Sequence, residues 1–165
     1  MRIPRPVIAL AIAAALTGCT STETPPYEPG TEWEPDDALQ RAQAALKDAD
    51  TPTRRFRSGA PHVASGVNET LETSGNKPYR FDIVCDSDDV PKVTLLLTRG
   101  TSKRQFDVAC TGADVLRVNF PAGPPVTVTV APASGKAEPQ GLLVWNLKAL
   151  EPANVHGCAD DIEGC

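Results

Sequence analysis

The sequence predicts a mainly β fold, a single disulfide-stapled antiparallel β-sandwich of about seven strands preceded by one short helix. Three observations predict it. The 165 residues include 16 prolines and 12 glycines, which break the chain too often for long helices and favour short strands joined by turns. The segment Arg80-Phe81-Asp82-Ile83-Val84-Cys85 recurs in form as Gln105-Phe106-Asp107-Val108-Ala109-Cys110. A two-residue side-chain period puts Phe81, Ile83 and Cys85 on one face of the first and Phe106, Val108 and Cys110 on one face of the second. Turn signals then follow one another at the spacing of a sandwich.

Taken in order, the chain opens with Arg2 and Arg5 and an uninterrupted apolar run over 7–16, too short to cross a bilayer as a mature helix. The run closes on Leu16-Thr17-Gly18-Cys19, which resembles the lipobox of bacterial lipoproteins. The resemblance implies that residues 1–18 are a signal peptide cleaved behind Gly18. Cys19 would then be acylated with palmitate-type chains, and the protein exported and held on the outer face of the cytoplasmic membrane. An ordinary secretory leader or a signal anchor accounts for fewer of these features. Two or more acyl chains anchor stably, since each buried methylene adds about 0.8 kcal/mol. Free use of alanine, arginine, valine and proline, with little lysine or isoleucine, resembles the composition of actinomycete proteins.

Residues 19–35 comprise this cysteine and a stretch rich in Ser, Thr, Glu and Pro. Tyr27 and Trp33 are its only large apolar groups, the composition of an extended tether that reaches about 50 Å at most. Within 36–50, Asp37 and Gln40 resemble a capping box, and Ala38, Leu39, Ala42, Ala45 and Leu46 mark one face of a helix over about 38–47. A helix this short needs packing to persist, so it is expected to lie on the β domain rather than to serve a partner.

The β domain is expected over 51–150. Arg54, Arg55 and Arg57 form its densest basic cluster, on a segment read as a loop. They are candidates for contact with anionic headgroups or wall polymers, each basic residue adding about 1 kcal/mol near such a surface. The plainer reading pairs them with neighbouring acids. Val63, Val67 and Leu71 alternate loosely as an edge strand. Six further strands are predicted at 79–85, 93–98, 104–110, 115–120, 126–130 and 142–147. Inward positions are Phe81 and Ile83; Val93, Leu95 and Leu97; Phe106 and Val108; Leu116, Val118 and Phe120; Val126, Val128 and Val130; and Leu143, Trp145 and Leu147.

An exported protein meets an oxidising compartment, so the four cysteines beyond Cys19 are read as disulfides. Three pairings are possible. The two local ones, Cys85–Cys110 and Cys158–Cys165, are favoured, the first as a bridge across paired strands and the second closing the tail over 151–165. Loop-closure entropy makes them worth about 3.5 and about 2.5 kcal/mol.

The net charge of −5 and pI near 5.0 lack the basic footprint of a nucleic-acid partner. No glycine-flanked nucleophile or Cys–His pair is present, and His62 and His156 are the only imidazoles, so an enzyme is not expected and no cofactor is assigned. Asp86, Asp88 and Asp89, with Asp114 nearby, are candidate calcium ligands, although a polar turn explains them more simply. Asp160, Asp161, Glu163 and His156 would suit zinc only if Cys158 and Cys165 stayed reduced. Trp145 is a candidate sugar platform, but its place beside Leu143 and Leu147 favours burial.

These observations point to a membrane-anchored lipoprotein acting as an extracytoplasmic binding or interaction module. Its partners would be the membrane, through Cys19, and an envelope protein or wall polymer. A structural accessory of an envelope complex is the alternative. A hydrolase would need a pocket in which two carboxylates converge.

Overall fold

Eight segments of the chain pair as strands. The computed structural model describes residues 37–47, 54–134 and 138–151. In chain order they form α1 (Ala38–Ala45), β1 (Arg54–Gly59), β2 (Val67–Leu71), β3 (Tyr79–Asp86), β4 (Lys92–Arg99), β5 (Ser102–Ala109), β6 (Leu116–Phe120), β7 (Val126–Val130) and β8 (Leu142–Ala149). The strands make two antiparallel four-stranded sheets, sheet A in the order β1-β8-β3-β6 and sheet B in the order β2-β7-β4-β5. This is the strand order of a double-sheet jelly roll, a sandwich in which successive strands change sheets.

The expected mainly β sandwich is therefore present, with eight strands where about seven were predicted. The additional strand is β1, on the segment Arg54-Arg55-Phe56-Arg57-Ser58-Gly59 that reads as a basic loop. It has no apolar alternation of its own. Its pairing with β8, with a register shift between Arg55 and Arg57, makes it the edge of sheet A. Strand formation there follows from the neighbouring ladder rather than from local pattern.

The predicted inward positions converge on one cluster between the sheets, with Phe106 and Leu116 at its margin. Trp145 is 3% exposed and stacks on Phe81 with ring centroids 5.7 Å apart. At one side of the sandwich Arg57 of β1 meets Glu69 of β2 at 2.9 Å, an ion pair that joins the edges of the two sheets. At the end remote from α1, buried Arg99 donates to the Pro121 carbonyl at 3.0 Å and lies over the Phe120 ring.

The Cys85–Cys110 disulfide is present, but it is not a bridge between paired strands. Cys85 belongs to β3 in sheet A, and Cys110 directly follows β5 in sheet B. The inward parity of both cysteines was legible; their placement in opposite sheets was not. Immediately after Cys110 the chain crosses to sheet A, where Gly112 N–H donates to the Cys85 carbonyl at 2.9 Å and Thr111 bridges Asp86. Gly112 has a φ of 73°, and a Cβ there would stand 2.6 Å from an Asp86 carboxylate oxygen, so this crossing requires glycine. The leader, Cys19, the tether and the Cys158–Cys165 pair lie outside the described residues.

Replacing both Cys85 and Cys110 by serine is expected to lower unfolding stability by about 3.5 kcal/mol, the loop-closure term for a separation of 25 residues. Urea unfolding followed by Trp145 fluorescence measures it.

Candidate binding groove

Strand alternation gives sheet A a second face, directed away from the sandwich core. Arg80, Asp82, Val84 and Asp86 of β3 stand on it beside Leu142, Val144, Asn146 and Lys148 of β8. Val84, Leu142 and Val144 are apolar and need cover, and α1 supplies it. Ala38, Ala42 and Leu46, four residues apart, form its buried stripe and pack on those three side chains. The alanines let the helix axis come close to the sheet. The predicted capping box does not form: Asp37 takes a left-handed backbone (φ 62°) and its side chain makes no capping hydrogen bond. The helix is instead held from the side, by an Arg41–Asp86 ion pair at 2.9 Å near its start and by the Lys148 ammonium, which donates to the Leu46 carbonyl at its end.

Beyond the helix the same face is polar and still buried. Asp82, fully buried, receives the Lys148 ammonium at 2.6 Å and the Arg80 guanidinium at 3.2 Å. Arg80 Nε also stands 2.8 Å from the second carboxylate oxygen, an ionic contact without hydrogen-bond angles. One carboxylate between two cations in a low-dielectric layer holds β3 to β8, and loss of that carboxylate would leave two charges to desolvate alone. Asp82→Asn is expected to cost about 3 kcal/mol in unfolding stability, read as a drop in urea midpoint with the m-value unchanged.

Between the α1 end and edge strand β1 the described residues outline a groove. It holds about 190 Å³ and is lined by Gln43 and Leu46 from the helix side, Ser58, Gly59 and Ala60 from β1 and the turn after it, and Val144 and Asn146 from β8 as its floor. Register places Asn146 directly between Ser58 and Asp82. Asn146 is 3% exposed, yet its carboxamide makes no hydrogen bond among the described residues, unlike the neighbouring Asp82 and Lys148. Its polar atoms are not sealed from solvent, so the amide faces the groove rather than the dry interior. The lining carries no charge. It offers carboxamides at Gln43 and Asn146, a hydroxyl at Ser58, and apolar walls at Leu46, Val144 and Ala60.

Gly59 sets the shape of one wall. A Cβ there would stand 2.7 Å from the indole of Trp145, whose ring is fixed by Phe81. Gly59→Ala is expected to destabilise by about 1–3 kcal/mol and to shift Trp145 emission, because the indole has no room to retreat.

The sequence-predicted candidates lie elsewhere. Asp86 is engaged by Arg41, Asp89 accepts the Gln140 backbone N–H at 2.8 Å, and Asp88 is exposed. Asp114 is held by the Thr111 hydroxyl at 3.0 Å. Among the described residues no three His, Cys, Asp or Glu side chains converge on a point that would hold a metal. Arg57 is paired with Glu69, and Arg54 and Arg55 enter through their backbone pairing to β8. On the open face of sheet B, the Lys92 ammonium donates to Asp107 at 2.6 Å and, with its charge, holds that carboxyl below its ordinary range. What this pair contributes is present above the unfolded-state pKa and is lost as pH falls through the lowered folded value.

Gln43, Ser58 and Asn146 were not singled out by sequence reasoning. One signal was there: Asn146 and Lys148 continue a face whose earlier members, Leu142 and Val144, are apolar, the mark of a covered face with polar groups in it. Compared with known proteins, the chain matches no family model and no curated protein sequence.

Proposed function

We propose that the protein is a bacterial lipoprotein, anchored through acylated Cys19 to the outer face of the cytoplasmic membrane, whose jelly-roll domain is an extracytoplasmic binding module. The observation that carries the binding role is the groove over Asn146, where a carboxamide that makes no protein hydrogen bond among the described residues is presented beside a hydroxyl and apolar walls. Such a set recognises a ligand by hydrogen-bond geometry and shape. In this reading the domain binds rather than catalyses, and its described lining supplies hydrogen bonds and contact area. The Leu16-Thr17-Gly18-Cys19 motif supports the anchor, and the inter-sheet disulfide agrees with an oxidising compartment. The alternative role as an accessory subunit of an envelope complex would act through α1 and the tether together, and the tether lies outside the described residues. The apolar stripe of α1 packs on sheet A of the same chain.

Anchoring is tested by expressing the full chain and its Cys19→Ser variant in a bacterium that processes lipoproteins, with an alkyne-palmitate label. The natural chain is expected to take up label and sediment with membranes. The variant is expected to lose the label and the cleavage behind Gly18. Label retained by the variant would sink the lipobox assignment.

A further inference from the structure

We infer that the groove between α1 and β1 binds the secondary amide of a neutral ligand, the group shared by N-acetylated amino sugars and peptide bonds. The inference deepens the binding-module reading and rests on it. A trans secondary amide points its carbonyl and its N–H in opposite directions, so its recognition needs a donor on one side and an acceptor on the other. The groove has this arrangement across its width. Asn146, on the floor, offers an amide donor, while Gln43 from the helix and Ser58 from the edge strand offer acceptors at the rims.

Asn146 carries the argument. It is 97% buried by its 3% exposure, makes no protein hydrogen bond among the described residues, and keeps its amide atoms open to the groove, so a ligand group reaching it takes the place of water on a fixed, otherwise uncommitted amide. Leu46, Val144 and Ala60 provide the dry contact that the methyl or Cα beside an amide requires. Among the described residues no charged side chain lines the groove, which favours a neutral group over a carboxylate, phosphate or ammonium. Its volume of about 190 Å³ is below the usual several hundred Å³ of sites that enclose a whole ligand. It therefore holds one substituent while the rest of the ligand lies outside. Among the described residues no aromatic ring lines it, so the amide rather than a stacked sugar ring is the feature taken as recognised.

The test is a titration of the purified, isotope-labelled full chain with N-acetylglucosamine, N-acetylalanine methylamide and glucose, followed by amide NMR shifts. Dissociation constants on the order of 1 mM are expected for the two amides, given their size. Shifts should centre on the Asn146 and Gln43 side chains and on the Gly59 and Ala60 backbone, with glucose producing none. The tighter of the two amides names the source. Asn146→Leu should weaken binding at least about tenfold with the melting temperature retained. Gln43→Ala, on the exposed helix face, should weaken it severalfold and serves if the first variant fails to fold. Equal binding of glucose, or affinities unchanged in the variants, overturns the inference. Shifts confined to another face overturn the groove but leave the binding module standing. No shift with any of the three overturns the groove, while a thermal-shift screen of wall polymers then decides the binding module separately.

Discussion

Because β3 and β8 lie side by side at the centre of sheet A and are buried on both faces, each residue they carry has to be satisfied by something other than bulk water. On the core side this is simple, since Phe81, Ile83, Leu143, Trp145 and Leu147 meet the apolar residues of sheet B. On the far side the demand is mixed, and the rest of the molecule outside the sandwich is arranged to meet it. The helix covers the apolar part, Val84, Leu142 and Val144. In the ionic cluster, Asp82 is held by the Lys148 ammonium and the Arg80 guanidinium. Asn146 sits on the border between the two solutions and is served by neither.

That contrast between adjacent residues is what makes Asn146 informative. Asp82 and Lys148 are close to it on the same face and are as deeply buried, and each has a partner within 2.6 Å. Gly59 pairs with Trp145 on the core side, where a Cβ would stand 2.7 Å from the indole, while its neighbour Ser58 pairs with Asn146 on the groove side.

The sandwich was legible in the sequence wherever one strand face is core and the other is solvent, as in β4, where Val93, Leu95 and Leu97 alternate with Lys92, Thr94 and Leu96. It was legible too in the cysteine parity of β3 and β5, which gave the pair but not its inter-sheet placement, because a two-residue period reports which face a residue occupies and not which sheet its strand joins. β1 was missed for a related reason: an edge strand can be held by backbone bonds to β8 alone, and Arg54-Arg55-Phe56-Arg57 has one apolar residue and no alternation. The groove was the least legible feature. It requires α1, β1 and β8 to meet, and Gln43, Ser58 and Asn146 are separated in the chain by distances over which local pattern carries no information.

A groove bounded by elements so far apart recognises a small group only if those elements do not shift relative to one another, because the cost of ordering a loose site is subtracted from a modest binding free energy. Here each wall is fixed independently. β1 is hydrogen-bonded to β8 and joined to sheet B through Arg57 and Glu69. The helix is fastened at its start by Arg41 to Asp86 and at its end by Lys148 to the Leu46 carbonyl. Asp86 in turn adjoins Cys85, whose disulfide ties sheet A to sheet B, and Lys148 is held by Asp82. The contacts that place Gln43 and Leu46 over Asn146 therefore run through the same two strands that form the floor, so the floor and the helix wall of the groove move as one body.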